Sequence, residues 1–244
     1  MPPPLTLTIA VRSVVFQIWV WGLGLFLGLP ATPLLLGPRR GALMAVRLWA
    51  RLVIWGFQAI VGCRVEVRGR PPVGAALIAA KHQGMFDIIP PFQLLNDPCL
   101  VMKSELMRVP IFGWFAQKLE MIVVDREAAA KALRAMVAEA GRALADGRQI
   151  LIFPEGTRKA PGAAPDYKPG VAGLYRELGL PCVPLATNSG CFWPPSGLWV
   201  YPGVAVFEFL PPIEAGLKRA SFMARLEAEI EAASQRLLSE TQPR

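Results

Sequence analysis

The sequence predicts an α/β fold in which a mixed, largely parallel central sheet carries helices on both faces, after an N-terminal membrane-associated helical segment. Two observations predict this fold. From residue 64 onward, short β-branched runs alternate with helical stretches, which is typical of a sheet covered on both sides. Before them, residues 13–38 contain no charged side chain. We therefore expect two parts, a membrane-associated helical segment at 1–62 and an α/β domain at 63–244.

The first apolar stretch is long enough to cross a bilayer. Residues 14–36, as one helix, would reach across a hydrocarbon core of about 30 Å. Pro30 and Pro33 argue against an unbroken helix, because proline removes a backbone hydrogen bond and clashes with the preceding turn. The pattern therefore favours a broken helix over a single straight one.

The second apolar stretch, at 41–62, carries its charges on one helical face. Arg40, Arg47 and Arg51 are spaced by seven and four residues, and the rest is apolar and contains tryptophan. Such a helix suits the headgroup boundary, where arginines reach lipid phosphates. We expect the two stretches to form a helical pair inserted into or lying on one leaflet. A single span followed by an interfacial helix, a cleaved signal peptide and a buried core hairpin are the alternatives.

Positive charge is concentrated near the N-terminus. The chain has a formal net charge of +8, and residues 1–70 hold eight arginines against one acidic residue, Glu66. Because these cations are mixed with tryptophan and leucine, they indicate the surface of a phospholipid membrane as partner and no nucleic acid. Arginines that follow the apolar stretch would keep its C-terminal side in the cytoplasm. We therefore expect the functional site to face the cytoplasm.

The four cysteines are scattered and form no C-x-x-C pair. With a single histidine in the chain, they cannot supply a typical zinc ligand set, so we expect no metal site. Reduced thiols in a cytosolic compartment are expected instead.

Seven strands and five helices are expected in the α/β domain. The expected strands are at 64–68, 75–80, 99–103, 120–124, 149–153, 182–187 and 204–209. The expected helices are at 86–95, 111–118, 126–145, 171–178 and 217–238. In such sheets, functional side chains gather in the loops that follow the carboxyl ends of strands. Four of these loops would hold His82, Lys103, Arg126 and residues 154–158, so we expect these side chains to converge.

His82 is the only histidine of the chain, and a carboxylate, Asp87, lies five residues beyond it. An imidazole titrates near neutrality and can take a proton from an alcohol, while a carboxylate can fix its tautomer. Five residues of regular helix would place the two side chains on different faces. The pair therefore works only if His82 precedes a helix that begins near Met85. The alternative is a structural histidine at a strand end, with Asp87 as an ordinary cap.

A second motif, F-P-E-G-T-R at 153–158, ends a strand with a tight turn. Exposed N–H groups at Gly156 and Thr157, beside the guanidinium of Arg158, would make a seat for an anion, most naturally a phosphate. The alternative is a solvated turn with an ion pair between Glu155 and Arg158.

These motifs together resemble the sequence blocks of one family, the 1-acylglycerol-3-phosphate acyltransferases, also called lysophosphatidic acid acyltransferases. The first block, H-x-x-x-x-D, is matched by His82 and Asp87. The third, F-P-E-G-T-R, is matched in full at 153–158, and the fourth, a proline-centred apolar strand, at 183–190. The resemblance covers residues 81–212, with the blocks in family order.

Two positions depart from the family pattern. In the second block, roughly G-x-I-x-I-D-R and matched at 121–126, Glu120 stands where glycine is usual. In the first block, Gly84 stands where serine is often found. The histidine and the carboxylate are both kept, so the resemblance still implies the same chemistry.

The resemblance implies the glycerolipid acyltransferase fold and an enzyme that moves a fatty acyl group from a thioester to the sn-2 hydroxyl of 1-acylglycerol-3-phosphate. The product would be phosphatidic acid, in phospholipid biosynthesis. The co-substrate would be acyl-CoA or acyl-carrier protein (acyl-ACP), with no other cofactor. His82 would act as the general base, oriented by Asp87, and Lys103, Arg126 and Arg158 would bind the acceptor phosphate.

Glu155 would orient the turn or a glycerol hydroxyl. We expect direct transfer without an acyl-enzyme, because no cysteine or serine stands in a recognisable nucleophile motif beside His82. Three other functions stay open at this point: acylation of another lysolipid such as lyso-ornithine lipid, hydrolysis of the thioester, and non-catalytic lipid binding at a membrane.

Overall fold

The seven predicted strands form one sheet in the computed structural model, which describes residues 5–125, 129–195 and 197–241. They are β1 (Cys63–Arg68), β2 (Ala76–Ala80), β3 (Pro98–Lys103), β4 (Ile122–Val124), β5 (Gln149–Ile152), β6 (Cys182–Thr187) and β7 (Gly203–Phe209). Their order across the sheet is β1-β7-β6-β2-β5-β3-β4. All these pairings are parallel except that of β6 with β7. The predicted mixed, largely parallel sheet is confirmed.

Helices cover both faces of this sheet. They are α1 (Leu7–Gly28), α2 (Arg39–Gly56), α3 (Pro91–Leu94), α4 (Phe112–Lys118), α5 (Ala129–Ala145), α6 (Gly170–Leu178) and α7 (Arg219–Thr241). The first four pack on one face and the last three on the other. Strand β2 explains the two cores, because Ile78 and Ala80 join the first and Leu77 and Ala79 the second. A strand buried on both faces is apolar throughout, as β2 is.

The helix predicted at 86–95 is wrong as a single element. A 3₁₀ turn at Met85–Ile88 is followed by the short helix α3. Pro90 and Pro91 separate the two, because neither has an N–H with which to continue the first turn. The 3₁₀ turn does begin at Met85, as the spacing of His82 and Asp87 requires.

The N-terminal helices form the predicted pair. A 3₁₀ turn at Thr32–Leu36, which includes Pro33, separates α1 from α2, so the predicted break is confirmed. Helix α2 continues into one π turn at Phe57–Val61. Leu7–Gly28 and Arg39–Val61 are both long and apolar enough to cross a membrane. The boundary at residue 62 stays a prediction.

One face of α1 packs against the α/β domain. The hydroxyl of Ser13 donates to the carbonyl of Val200 at 3.2 Å, and the centroids of the Phe16 and Trp193 rings lie 5.2 Å apart. Phe16 of α1 and Val53 of α2 belong to the same core cluster as the sheet residues of this face. The helical pair is therefore fastened along its length to the domain.

Polar contacts strengthen this attachment at α2. Arg39 Nη1 donates to Asp97 Oδ1 at 2.9 Å, and the same carboxylate oxygen lies 3.4 Å from Nε of the buried Arg148. Burial opposes ionisation of Asp97, but the hydrogen bond from Arg39 and the charge of Arg148 outweigh it and lower the pKa of the carboxyl.

Arg47 differs from its prediction. Its Nη2 donates to the main-chain carbonyls of Leu95 at 2.8 Å and Asn96 at 2.5 Å. The structure therefore gives Arg47 internal partners in place of the lipid phosphates predicted for it. Arg40 and Arg51 are exposed on α2, as an interfacial helix requires.

We expect Asp97→Asn to lower the free energy of unfolding by about 2 kcal/mol at pH 7, because it removes hydrogen bonds to a charged group. The pKa of Asp97 is lowered in the folded state, so its contribution is present above the unfolded pKa, about 3.9, and is lost as pH falls through the folded pKa. The stability difference should therefore shrink below about pH 4. Chemical denaturation in detergent at several pH values measures it.

The matched control is Glu66→Gln, which breaks an exposed ion pair with Arg68. It should change stability by less than about 0.5 kcal/mol. An Asp97→Asn effect that is no larger than the control, or that does not depend on pH, would contradict the role given to this pair.

Candidate active site

The carboxyl ends of the four central parallel strands meet at one edge of the sheet. His82 follows β2, Lys103 ends β3 and residues 154–158 follow β5. Ser189 follows β6, the neighbour of β2 on its other side. Of the side chains predicted to converge, His82, Lys103 and Arg158 line one cavity, described below, whereas Arg126 lies outside the described residues.

His82 and Asp87 are in hydrogen-bond contact. The distance between His82 Nδ1 and Asp87 Oδ2 is 2.9 Å. Asp87 is 2% exposed, whereas the His82 side chain is 16% exposed. A buried carboxylate bonded to Nδ1 favours the tautomer in which Nδ1 carries the proton and Nε2 can accept one.

The Asp87 carboxylate is held by three further donors. Oδ2 accepts the main-chain N–H groups of Gln83 at 2.5 Å and Gly84 at 2.8 Å. Oδ1 accepts the hydroxyl of Ser189. These bonds satisfy an anion that would otherwise be costly to bury. They also fix the carboxylate relative to the imidazole.

Gly84 has a steric reason to be glycine here. A Cβ atom at this position would collide with the carbonyl oxygen of Trp193. The serine often found at this position in the family would therefore require that carbonyl to move. Glu120, the other departure, has a φ of 53°, in the left-handed region that favours glycine. The glycine usual there suits the backbone better than the glutamate does.

The imidazole and main chain of His82 are also fixed. The imidazole stacks on Phe153, with ring centroids 4.1 Å apart and an angle of 23° between the planes. The N–H of His82 donates to Glu155 Oε2 at 3.3 Å, and its carbonyl accepts the N–H of Lys159 at 2.8 Å. The F-P-E-G-T-R turn therefore supports His82 at both the ring and the backbone.

Glu155 belongs to a buried network and does not pair with Arg158. Lys81 Nζ donates to Glu155 Oε1 at 2.8 Å and to Glu231 Oε1 at 2.7 Å. The hydroxyl of Tyr167 donates to the same oxygen of Glu231 at 2.9 Å. Burial raises the pKa of Glu155, and the hydrogen bond from Lys81 opposes that rise. Arg158 Nη1 instead donates to a main-chain carbonyl, at Pro195.

A cavity of about 1840 Å³ opens at the His82 side of the sheet. Apolar side chains of the helices line much of it, including Trp21, Leu25, Leu48, Phe112 and Phe115. Its basic lining residues are Arg47, Arg51, Lys103, Arg158, Lys168, Arg176 and Arg219. Among the residues that the structure describes, no aspartate or glutamate lines the cavity. The cavity therefore suits an amphiphile with a long apolar part and an anionic group.

The predicted site residues fall into three groups. Those that line the cavity are His82, Lys103, Gly156, Thr157 and Arg158. Asp87 and Glu155 lie buried behind His82 and contact it. Arg126 lies outside the described residues. Within the described ranges, no three His, Cys, Asp or Glu side chains lie together as a metal-binding group.

Several residues around the site were not predicted from the sequence. Ser189 could have been found, because it is a hydroxyl residue just after a strand of the fourth block. Lys168, in the loop that precedes α6, also lines the cavity. Glu231 gave no signal, since it is one of several glutamates on α7 and meets Lys81 only in the folded chain.

The chain is similar to known acyltransferases. A family model described as Acyltransferase matches residues 64–188. The 1-acyl-sn-glycerol-3-phosphate acyltransferase of Pseudomonas aeruginosa is 31% identical over 242 residues, which cover 96% of this chain and 93% of the relative. A lyso-ornithine lipid O-acyltransferase of Rhodobacter capsulatus is 35% identical over 100 residues, 41% of this chain and 35% of the relative.

The fold has a counterpart among solved structures. The crystal structure of the 1-acyl-sn-glycerophosphate acyltransferase PlsC from Thermotoga maritima matches with a TM-score of 0.77 and 18% identity. The match covers 94% of this chain and 97% of that one. The fold and the matched segment define the class of protein, an α/β acyltransferase. The chain belongs to the 1-acyl-sn-glycerol-3-phosphate acyltransferase family.

We expect Ser189→Ala to lower kcat about 10-fold, because losing one hydrogen bond to a charged group costs about 1.5 kcal/mol. KM should stay unchanged, since Ser189 acts on substrate only through Asp87 and His82. Steady-state acyl transfer measures both constants. The control is Ser234→Ala, another buried serine, whose hydroxyl has no hydrogen-bond partner among the described residues. Equal effects of the two substitutions on kcat would contradict a positioning role for Ser189.

Proposed function

We propose that the protein transfers a fatty acyl group from acyl-CoA or acyl-ACP to the sn-2 hydroxyl of 1-acylglycerol-3-phosphate, giving phosphatidic acid for phospholipid biosynthesis. The observation that carries the proposal is the His82–Asp87 pair at the edge of an apolar cavity lined with cations. The name of the Pseudomonas relative supports the same reaction.

His82 would act as general base in this reaction. Its Nε2 takes the proton of the acceptor hydroxyl as that oxygen attacks the thioester carbonyl. The tetrahedral intermediate then collapses and expels the thiolate, which takes the proton from the imidazolium. Asp87 balances the charge on the imidazolium and keeps Nε2 directed at the substrate. Proton transfer of this kind contributes roughly 10²- to 10⁴-fold, and the positioning of two amphiphiles supplies more.

Direct transfer fits the state of the cysteines. Burial raises the pKa of Cys63 and of Cys182 to about 12, and of Cys191 to about 11. Burial raises the pKa of Cys99 as well. Thiols with such pKa values are poor nucleophiles at neutral pH, because the thiolate is the reactive form. The reaction that we propose needs no metal or other cofactor besides the thioester.

The acceptor phosphate would bind to the cations at the cavity. Lys103 and Arg158 line it, and among the described residues Arg158 uses one of its five N–H donors, in the hydrogen bond to Pro195. Gly156 and Thr157 also line the cavity, but the N–H of Gly156 donates to the carbonyl of Phe153 at 2.9 Å, so the exposed N–H predicted at Gly156 is wrong. We assign Arg126 to the same phosphate on the family pattern alone. Glu155, being buried, would hold His82 in place and would not contact a glycerol hydroxyl.

The charge of the cavity favours a phosphate acceptor over a lyso-ornithine lipid. The ornithine head group carries both a carboxylate and an ammonium group, and the ammonium needs a carboxylate or carbonyl partner when it is buried. The described lining offers several cations and no carboxylate. A phosphate monoester is the better match to such a surface. Lyso-ornithine lipid is therefore the second candidate acceptor.

The N-terminal helices would hold the site at the membrane. Contacts of Ser13 and Phe16 with the α/β domain support a helical pair that lies in one leaflet, because they place the middle of α1 at the domain surface. A single span remains the second arrangement. The arginines that follow α1 favour the cytoplasmic side of a bacterial inner membrane. There, both substrates would reach the cavity from one leaflet.

The test is acyl transfer from labelled palmitoyl-CoA and, in parallel, palmitoyl-ACP to 1-acylglycerol-3-phosphate by purified protein in detergent. We expect labelled phosphatidic acid from the unmutated protein, and roughly 10²- to 10⁴-fold less from His82→Ala. Asp87→Asn should also lower kcat, because it disturbs the tautomer of His82. Melting temperatures of the variants check that they are folded.

Each rival function gives a different result. Release of free palmitate without lysolipid would indicate thioester hydrolysis. Product from lyso-ornithine lipid alone would indicate the other acceptor. No turnover with any acceptor, together with normal lipid binding by His82→Ala, would indicate a lipid-binding protein. A trapped acyl adduct on the protein would overturn direct transfer.

Neutralising the proposed phosphate ligands gives a separate prediction. We expect Arg158→Ala and Lys103→Ala each to raise KM for 1-acylglycerol-3-phosphate by about 10- to 100-fold. Losing one hydrogen bond between charged groups weakens binding by about this factor. KM for the thioester should change less. Arg225→Ala is the control, because Arg225 is exposed on α7 and forms an ion pair with Glu229, away from the cavity. An unchanged acceptor KM would contradict the assignment.

A further inference from the structure

The α/β domain has an exposed apolar patch of its own. Seven large apolar residues are exposed in the described part of the chain after Gly62, and four of them lie between 106 and 114. These four are Leu106, Val109, Phe112 and Trp114, exposed by 40%, 42%, 39% and 47%. We call residues 104–114 the apolar loop. It follows the carboxyl end of β3, on the same edge of the sheet as His82.

The apolar loop is rigidly built. A 3₁₀ turn at Ser104–Arg108 is followed by a γ-turn at Ile111, with φ 65° and ψ −59°. The N–H of Phe112 donates to the carbonyl of Pro110 at 2.7 Å and closes this turn. A positive φ in a β-branched residue is strained and persists only where the surroundings impose it. The backbone therefore holds the apolar side chains of the loop in a defined arrangement.

The apolar loop packs closely against the C-terminal end of α1. The Ile111 side chain lies so close to Gly28 that a Cβ atom there would be 2.6 Å from Ile111 Cγ2. Helix α1 also exposes apolar residues along one stripe at helical spacing, among them Val11, Val14, Ile18 and Leu25. The loop therefore continues the apolar surface of the helical pair.

Charge identifies the partner of this surface. Lys103, Arg108 and Lys118 flank the apolar residues, against one acidic side chain, Glu105. A tryptophan and basic residues around an apolar tip are typical of a segment that enters the headgroup and acyl boundary of an anionic leaflet. Leu106, Val109 and Phe112 also line the large cavity. The loop thus stands between the cavity and the outside.

We propose that the apolar loop inserts into the same leaflet as the helical pair and forms the rim through which lipid substrates enter the cavity sideways. The loop is a second membrane contact, contributed by the α/β domain itself. Apolar residues on the rim let an acyl chain pass from lipid to cavity without crossing water. This inference rests on the membrane association proposed above, but not on the identity of the acceptor.

The experiment places an environment-sensitive fluorophore at V109C in the full chain, with C191S removing the least buried native thiol. The protein is reconstituted into vesicles of phosphatidylethanolamine and phosphatidylglycerol, with and without lipids that carry a quencher on the acyl chain. The control probe is at V73C, because Val73 is 87% exposed and lies before β2, at the opposite edge of the sheet. No substrate is added, so the result is independent of turnover.

We expect several-fold stronger quenching by acyl-chain quenchers at residue 109 than at residue 73. Equal quenching at the two positions would overturn the proposal. A change in probe emission that does not depend on the lipid-borne quencher and grows with the protein-to-lipid ratio would overturn the proposal and assign the patch to a second copy of this chain. If the probe at residue 109 is shielded only after acyl-carrier protein is added, the patch would be assigned to that acidic protein. Transferase activity of the labelled chain, measured separately, shows whether the proposed function has failed instead.

Discussion

A buried carboxylate needs a full set of hydrogen bonds, and this need organises the functional end of the sheet. Asp87 obtains its donors from its own turn, from the imidazole of His82 and from Ser189 beyond β6. Two chain segments, residues 82–87 and the turn after β6, must therefore meet around one anion. Because both the imidazole and the carboxylate are held from several sides, the imidazole that we propose as the base has a fixed tautomer and direction before any substrate arrives.

The rest of the architecture supports this arrangement at a distance. Glu155 accepts the N–H of His82 and is itself held by Lys81, which also binds Glu231 on α7. The C-terminal helix is thereby connected to the base from the opposite face of the sheet. On the other face, α1 and α2 share a core with the strands and close one side of the cavity. Catalytic and membrane-associated elements are thus parts of one packed structure.

Much of the fold could be predicted from the sequence, because its strands are short, β-branched and separated by clear helices. The His82–Asp87 contact could also be predicted, since the five-residue spacing requires a turn that begins near Met85. The prediction of a single helix at 86–95 was wrong, because two prolines divide this stretch into a 3₁₀ turn and a short helix. Arg47 was predicted to contact lipid because its spacing from Arg51 indicates a shared helical face. Sequence spacing cannot show that the Leu95 carbonyl lies against Arg47. Contacts such as Lys81–Glu231 join residues 150 positions apart and have no local signature.

The central claim is that Asp87 holds His82 with Nδ1 protonated and Nε2 able to accept a proton. Since His82 is the only histidine of the sequence, protein labelled with ¹⁵N-histidine and free of any affinity tag gives the signals of one imidazole. Nitrogen NMR at a pH where the ring is neutral would then read the tautomer directly. The account predicts a proton on Nδ1, and loss of that preference in Asp87→Asn. A neutral ring that carries its proton on Nε2 in the unmutated protein would contradict it.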